Sequence, residues 1–159
     1  MPTHMPHIPT TAGGGPMSYA IFRLSRAHRA YAAALLRAMD LHPGQELLLM
    51  QLLDRDGQTQ SELLESVGVD HSTLSKALRR MQDAGLLVRE PAAHDRRVMV
   101  VHLTDKGRAM REPIAALWQS LEEASVGNLA EQQAVSFVET AYAITEAINS
   151  RALPHEESA

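Results

Sequence analysis

A short segment of this chain combines small polar side chains with basic ones at helical spacing. The candidates for chemistry in this segment are His71, Ser72, Thr73, Ser75, Lys76, Arg79 and Arg80. Hydroxyl, imidazole and cationic groups donate hydrogen bonds to phosphates and to base edges. On a helix, Ser72, Ser75 and Arg79 share one face. Leu74 and Leu78 lie on the opposite face. An ordinary amphipathic surface helix has the same pattern, so this segment alone does not decide between the two interpretations.

A second group of charged side chains falls in a polar turn further along the chain. Residues 86–90 predict one strand, and residues 98–103 predict a second that places Met99, Val101 and Leu103 on one face, so the two form a hairpin. The turn between them carries Asp95, Arg96 and Arg97. Two arginines on an exposed turn can reach phosphates or enter a narrow minor groove. We expect Asp95 either to form a bidentate ion pair with Arg97 or to shape the turn.

Two short helices are predicted immediately before the hairpin. Thr59 and Glu62 have the spacing of a capping box, and Gly68 ends the helix that they begin. Asp70 can cap the next helix, which Gly85 ends as a left-handed residue. Two short helices joined by a tight turn form a helix-turn-helix, whose second helix enters the major groove of DNA. The hairpin that follows makes this a winged helix-turn-helix.

Four further helices are predicted around this unit from apolar residues spaced three or four apart. The first opens at Ser18, and Pro43 suits the first turn of the second. The third is expected to run without a break from Thr104, and the fourth follows Gly127-Asn128. The apolar stripe of the first comprises Ile21, Leu24, His28, Tyr31, Leu35 and Met39. The later stripes include Leu117, Trp118, Leu121, Phe137, Val138 and Ile144, and they need a partner surface.

The distribution of charge agrees with a nucleic-acid partner, although the net charge of the 159 residues is −4. Residues 71–111 hold nine basic and four acidic side chains, a net charge of +5. Residues 1–70 and 112–159 are both net acidic. The absence of cysteine excludes disulfides and thiol redox sensing. The sequence has neither a secretory signal nor an apolar run of about 18 residues, so we expect no membrane partner and a cytoplasmic location.

The wing and the start of the helix after it resemble the MarR family. The family pattern of Asp and Arg in the wing, Leu-Thr at the end of the strand and a Gly three residues later is filled by Asp95, Arg97, Leu103, Thr104 and Gly107. The segments at 41–45, 72–76 and 84–89 also resemble the family, and the resemblance covers residues 18–151.

This resemblance implies a homodimer that binds double-stranded DNA at a pseudo-palindromic operator, acts as a repressor and is released by a small-molecule effector. The candidate effector-binding residues are His28, Arg29, Tyr31 and Met50. The alternative is that His28 and Tyr31 are ordinary residues of the dimer interface. The histidines are scattered over several elements, so we expect no metal site, and nothing in the sequence calls for a cofactor.

The predicted fold is mainly α with a small β-hairpin wing, in which a winged helix-turn-helix is embedded in an all-helical dimerisation domain. Residues 41–104 form the DNA-binding domain, and residues 17–40 and 105–151 form the dimerisation region. Residues 1–16 are expected to be a disordered tail and residues 152–159 a loose one.

The same sequence is compatible with one alternative function and disfavours another. A winged helix can serve as a protein-interaction module without reading DNA, because a fold does not imply a function. An enzyme is disfavoured, since no nucleophile–base pair, glycine-rich phosphate loop or carboxylate pair stands out.

Overall fold

The computed structural model describes residues 7–151, so the predictions for residues 1–6 and 152–159 lie outside the described residues. Packing contacts divide the chain after Leu121 into an N-terminal and a C-terminal unit, and the boundary falls within a helix. The helices are α1 (Pro16–Arg37), α2 (Gln45–Asp54), α3 (Gln60–Val67), α4 (His71–Asp83), α5 (Asp105–Arg108), α6 (Arg111–Val126) and α7 (Glu131–Asn149). The strands are β1 (Gln58–Thr59), β2 (Leu87–Pro91) and β3 (Met99–Leu103). The mainly helical fold with a small antiparallel sheet confirms the predicted fold class.

Helix α1 begins at Pro16, two residues before the predicted start at Ser18. Proline suits the first turn because its fixed φ is helical and its missing N–H would have no partner there. Within the segment predicted to be a disordered tail, Thr10–Ala12 form a single 3-10 turn. Gly13 N–H donates to Thr10 O at 3.1 Å to close it.

The entry to α2 differs from the sequence prediction. Pro43 lies before the helix, and Gly44, with a φ of 95°, is the N-cap of α2. This left-handed conformation favours glycine. The Glu46 carboxylate accepts a hydrogen bond of 2.7 Å from Gly44 N–H. The turn is therefore fixed by Gly44 and Glu46, and Pro43 does not begin the helix.

The sheet has one strand more than the predicted hairpin. Strand β3 lies in the centre, with β1 and β2 antiparallel on either side. Only Gln58 and Thr59 form β1, and two residues carry no recognisable alternation. Strand β2 ends at Pro91, one residue beyond the predicted end. Proline is tolerated there because β2 is an edge strand.

Two helices replace the single helix predicted after Thr104. Thr104 caps α5, as predicted, but α5 ends at Arg108 and α6 begins at Arg111. Pro113 explains the break. In an unbroken helix its ring would clash with the carbonyl of Ala109, whereas the first turn of a new helix accepts it.

The core of the N-terminal unit is built from Leu36 of α1 and apolar residues of α2 to α4, together with residues from the sheet and α6. Its fully buried side chains are Leu36, Leu48, Leu49, Leu52, Leu63, Leu78, Met81, Leu87 and Val101. Burial of one such side chain contributes about 1.5–3 kcal/mol to stability. This core fixes the inner faces of α3 and α4 and the base of the sheet.

Large apolar side chains are exposed on α1 of the N-terminal unit and on α7 of the C-terminal unit. On α1 they are Met17, Ile21, Phe22, Leu24 and Tyr31. On α7 they are Val135, Phe137, Val138, Tyr142 and Ile148. Within residues 7–151, no helix is both long and apolar enough to cross a bilayer.

Candidate nucleic-acid interface

The start of α4 is capped by Asp70, as predicted. Its Oδ1 accepts a hydrogen bond of 2.9 Å from Thr73 N–H, and its Oδ2 accepts one from the Thr73 hydroxyl. These bonds, with the Thr73 hydroxyl contributing most, hold the pKa of Asp70 below its usual value. Because the Thr73 hydroxyl already donates to Asp70, it can offer only its lone pairs to a ligand.

The inner face of α4 packs against the core through Leu74, Leu78 and Met81, which are at most 2% exposed. All seven predicted residues are accessible: His71, Ser72, Thr73, Lys76, Arg79 and Arg80 are exposed and Ser75 is half-buried. The amphipathic division of α4 follows from the sequence. A partner that approaches this helix meets three hydroxyl groups, an imidazole and three cations.

The turn between β2 and β3, called the wing tip here, holds Asp95, Arg96 and Arg97. Asp95 Oδ1 accepts a hydrogen bond of 2.9 Å from the backbone N–H of Arg97, and Asp95 O accepts one of 3.0 Å from Val98 N–H. Asp95 therefore shapes the turn. Among residues 7–151, Asp95 forms no ion pair with the Arg97 guanidinium, so that alternative expectation is wrong. Arg96 and Arg97 are both exposed.

Within residues 7–151, the five cations of the outer face of α4 and the wing tip form no side-chain hydrogen bond or ion pair. We call them the unpaired cations: Lys76, Arg79, Arg80, Arg96 and Arg97. Several other basic side chains are occupied. Arg55, for example, pairs with Glu62 at 3.0 Å. Hydrogen bonds from Thr59 N–H and Arg55 hold the pKa of Glu62 at about 2.

Three basic residues after the wing bind backbone carbonyls. Lys106 Nζ donates to Ala84 O at 2.7 Å, and Arg108 donates to Leu103 O at 2.9 Å. Arg111 donates to Leu53 O, near the end of α2, at 2.5 Å. We call Lys106, Arg108 and Arg111 the carbonyl-bound cations. The net charge of the segment counts these three cations as if they were available to a ligand. Their partners lie 5 to 58 residues away in the sequence, and no sequence pattern predicts these bonds.

A shallow cavity of about 160 Å³ adjoins α4. It is lined by His42, Pro43, Gln45, Thr73, Lys76, Ala77 and Arg80. The cavity brings two of the unpaired cations to one concave surface, together with the Thr73 hydroxyl oxygen. An anionic oxygen fits this combination chemically.

The four candidate effector-binding residues lie on α1 and α2. His28, Arg29 and Tyr31 are exposed on α1, and Met50 Sδ accepts a hydrogen bond of 3.0 Å from the Trp118 indole N–H. None of the four lines the cavity beside α4 or the open groove at the start of α1. Within residues 7–151, no group of three or more potential ligands could hold a metal ion.

Comparison with known proteins places these features in a family. The family model described as MarR family matches residues 32–98. The transcriptional regulator HosA of Escherichia coli O157:H7 is 30% identical over 100 residues, which are 63% of this chain and 74% of HosA. The HTH-type transcriptional repressor NicR of Pseudomonas putida is 29% identical over 85 residues, and this chain spans only about half of its length, 54%.

A solved structure with the same fold is that of a MarR mutant from E. coli in complex with operator DNA. It superposes with a TM-score of 0.77 at 22% identity and covers 86% of this chain and 99% of the other. The predicted resemblance is confirmed, and the relatives are named as regulators, in agreement with the prediction that this chain is not an enzyme. The chain belongs to the MarR family of transcriptional regulators.

Proposed function

We propose that this chain is a homodimeric repressor that binds a pseudo-palindromic operator through α4 and the wing tip. The observation that carries the proposal is the set of five unpaired cations on exposed surface. Each can bind a phosphate without first breaking a bond within the protein. MarR-family membership supports DNA as the partner, and the E. coli MarR mutant was solved with operator DNA.

The residues of α4 and the wing tip have different roles in the proposal. Ser72, Thr73, Ser75 and Lys76 face the major groove, Thr73 as an acceptor because its proton is engaged. The backbone-facing residues are His71, Arg79 and Arg80, which contact phosphates. At the wing tip, Arg97 enters the minor groove and Arg96 lies beside the backbone, while Asp95 keeps the turn in shape.

The exposed apolar faces support a dimer of two identical chains. Large exposed apolar patches indicate an interaction surface. Helix α1 in one unit and α7 in the other each carry five exposed large apolar side chains, including Phe22 and Phe137. A second copy of the chain that covers both helices would bury them and present two copies of α4 to two half-sites.

Repression, an effector and a cytoplasmic location complete the proposal. NicR is named a repressor, which supports that mode of action here. We propose that an effector acts near His28, Arg29, Tyr31 and Met50. Of these four, Met50 is half-buried, and its thioether accepts a hydrogen bond from the Trp118 indole N–H. The regulator would work in the cytoplasm, where the chromosome is.

The test is fluorescence anisotropy on an operator selected from genomic fragments, beside a scrambled duplex, over a range of salt concentrations. With three phosphate contacts per protomer, the logarithm of the binding constant should fall with the logarithm of salt with a slope of about −5. The selected sites should be inverted repeats with half-site centres about 10 base pairs apart. Equal affinity for both duplexes, or a slope near zero, would favour the protein-interaction module instead.

A further inference from the structure

Three successive carbonyls follow the end of α4, and the segment after the wing binds all of them. Ala84 O accepts from Lys106 Nζ at 2.7 Å. Gly85 O accepts from the Thr104 hydroxyl at 2.6 Å, and Leu86 O accepts from Thr104 N–H at 3.1 Å. Ala84 is the C-cap of α4, and Gly85 and Leu86 follow it, so these three carbonyls have no partner within the helix and would otherwise need water.

The turn at the end of α4 is itself well defined. Gly85 has a φ of 73°, and its N–H donates to Gln82 O at 2.9 Å. Leu86 N–H donates to Met81 O at 2.9 Å. Together these bonds form a Schellman motif. The bonds from Thr104 and Lys106 are therefore additional to a complete helix end.

Gly107 makes the close approach possible. It is buried, and a Cβ added to it would lie 2.0 Å from Leu86 O. Its N–H donates to the Thr104 hydroxyl oxygen at 3.0 Å. Thr104, Lys106 and Gly107 thus form one structure, which we call the clasp, around the carbonyls of residues 84–86.

We propose that Lys106 is a positioning residue for operator recognition, which acts on DNA through the end of α4 and not through a phosphate contact. The clasp joins α4 to the base of the wing, because Thr104 directly follows β3. Helix α4 and the wing tip must reach two grooves at the same time, so the angle between them must be held within a narrow range. A cation near the C-terminus of α4 also interacts favourably with the helix dipole.

This proposal rests on the proposed function, and the experiment compares Lys106→Met with Lys76→Met. Both substitutions remove one cation and keep an unbranched side chain, but Lys76 is unpaired and Lys106 is bound. Four quantities are measured on each full-length variant: operator affinity, the operator-to-scrambled ratio, the salt slope, and the exchange of the amides of residues 84–86 in free protein. Lys106→Arg tests rescue.

For Lys106→Met we expect the operator-to-scrambled ratio to fall about fivefold, the loss of one net hydrogen bond, with the salt slope unchanged. The amides of residues 84–86 should exchange about fivefold faster because the helix end frays more often. Lys106→Arg should restore both. For Lys76→Met, which removes a cation that faces the major groove, operator affinity and the operator-to-scrambled ratio should fall, and exchange of the amides of residues 84–86 should not change.

Three outcomes overturn the proposal. A less steep slope for Lys106→Met with unchanged exchange would show a phosphate contact. A lower melting temperature of Lys106→Met with an unchanged operator-to-scrambled ratio would show that Lys106 only caps the helix and has no part in recognition. No change in any quantity would show that the clasp does not need Lys106. Failure of the proposed function is distinguishable, because the wild-type protein would then not discriminate the two duplexes, while amide exchange would still report on the clasp.

Discussion

The unpaired cations and the carbonyl-bound cations lie in the same basic segment of the chain, but of these two sets only the carbonyl-bound cations have side-chain hydrogen-bond partners within the described residues. Lys76, Arg79, Arg80, Arg96 and Arg97 have no partner among residues 7–151. Lys106, Arg108 and Arg111 each donate to a main-chain carbonyl. The net charge of +5 over residues 71–111 therefore includes both sets, together with Arg89, which donates to the Gln82 side chain, and only the unpaired set is available to an anionic ligand without cost.

The difference between the two sets lies in what each side chain loses on binding DNA. An unpaired cation exchanges water and counterions for a phosphate, and the released counterions favour binding. A carbonyl-bound cation would first leave an acceptor without a partner, which costs about 1–3 kcal/mol where the acceptor is buried. We therefore expect substitutions in the first set to weaken DNA binding directly, and those in the second to act through the fold, as proposed for Lys106 at the end of α4.

The largest expected effect lies at the clasp. Gly107→Ala places a methyl group 2.0 Å from Leu86 O, so the main chain must move. We expect a loss of about 3 kcal/mol in the free energy of unfolding, measured by urea denaturation, at the upper end of the usual range for overpacking.

Gly14→Ala is the matched control, because an added Cβ at Gly14 meets no atom within 4 Å. It should leave the urea midpoint nearly unchanged. Equal midpoints for the two variants would mean that the clasp opens easily, and the carbonyl-bound set would then lose its structural role.

A paired experiment separates the two sets at arginine. Arg97→Met should weaken operator binding by about 1–3 kcal/mol, the range expected for a minor-groove arginine, with an unchanged melting temperature. Arg111→Met removes the bond to Leu53 O and should lower stability by about 1 kcal/mol. Its operator affinity should remain close to that of the wild type at a temperature where both are folded.

Anisotropy at matched salt and calorimetry provide the two measurements. If Arg111→Met weakened operator binding as strongly as Arg97→Met with no change in melting temperature, both arginines would belong to one DNA-binding set. The distinction between unpaired and carbonyl-bound cations would then not predict which residues bind DNA.

The helix-turn-helix could be predicted from the sequence because its signals are local. The capping box at Thr59, the cap at Asp70 and the left-handed Gly85 all depend on residues within one or two turns, and the structure confirms each. The inward face of α4 follows from its periodicity, and the wing follows from two short strand patterns separated by a polar turn.

The rest depended on contacts between residues distant in sequence. Strand β1 has two residues and forms only because β3 pairs with it. The Lys106–Ala84 bond joins residues 22 apart, and no pattern distinguishes that lysine from Lys76. The break between α5 and α6 did have a local signal, Pro113, which sequence reasoning passed over.

The smallest expected effect concerns the two charged caps of α4, an anion at its start and a cation at its end. Asp70 caps the start, and the Thr73 hydroxyl and N–H hold its pKa below the usual value. Since the folded state lowers this pKa, the unfolded chain binds more protons at acidic pH. The contribution of Asp70 is therefore complete above a pH of about 5 and is lost as the pH falls through the lowered pKa.

Asp70→Ala should accordingly lower the melting temperature at neutral pH, and its difference from the wild type should shrink below the usual Asp pKa of 3.8. Asp70→Asn is the matched control, because asparagine caps a helix as well as aspartate does but does not titrate. The melting-temperature difference between Asp70→Asn and Asp70→Ala should stay constant with pH. Lys106→Met, measured in parallel, should also differ from the wild type by a constant amount over this range, because lysine does not titrate at acidic pH. A difference between Asp70→Ala and the wild type that persists undiminished at the lowest pH would show that the carboxyl caps α4 equally well when protonated, and the two ends of the helix would then not differ in their response to acid.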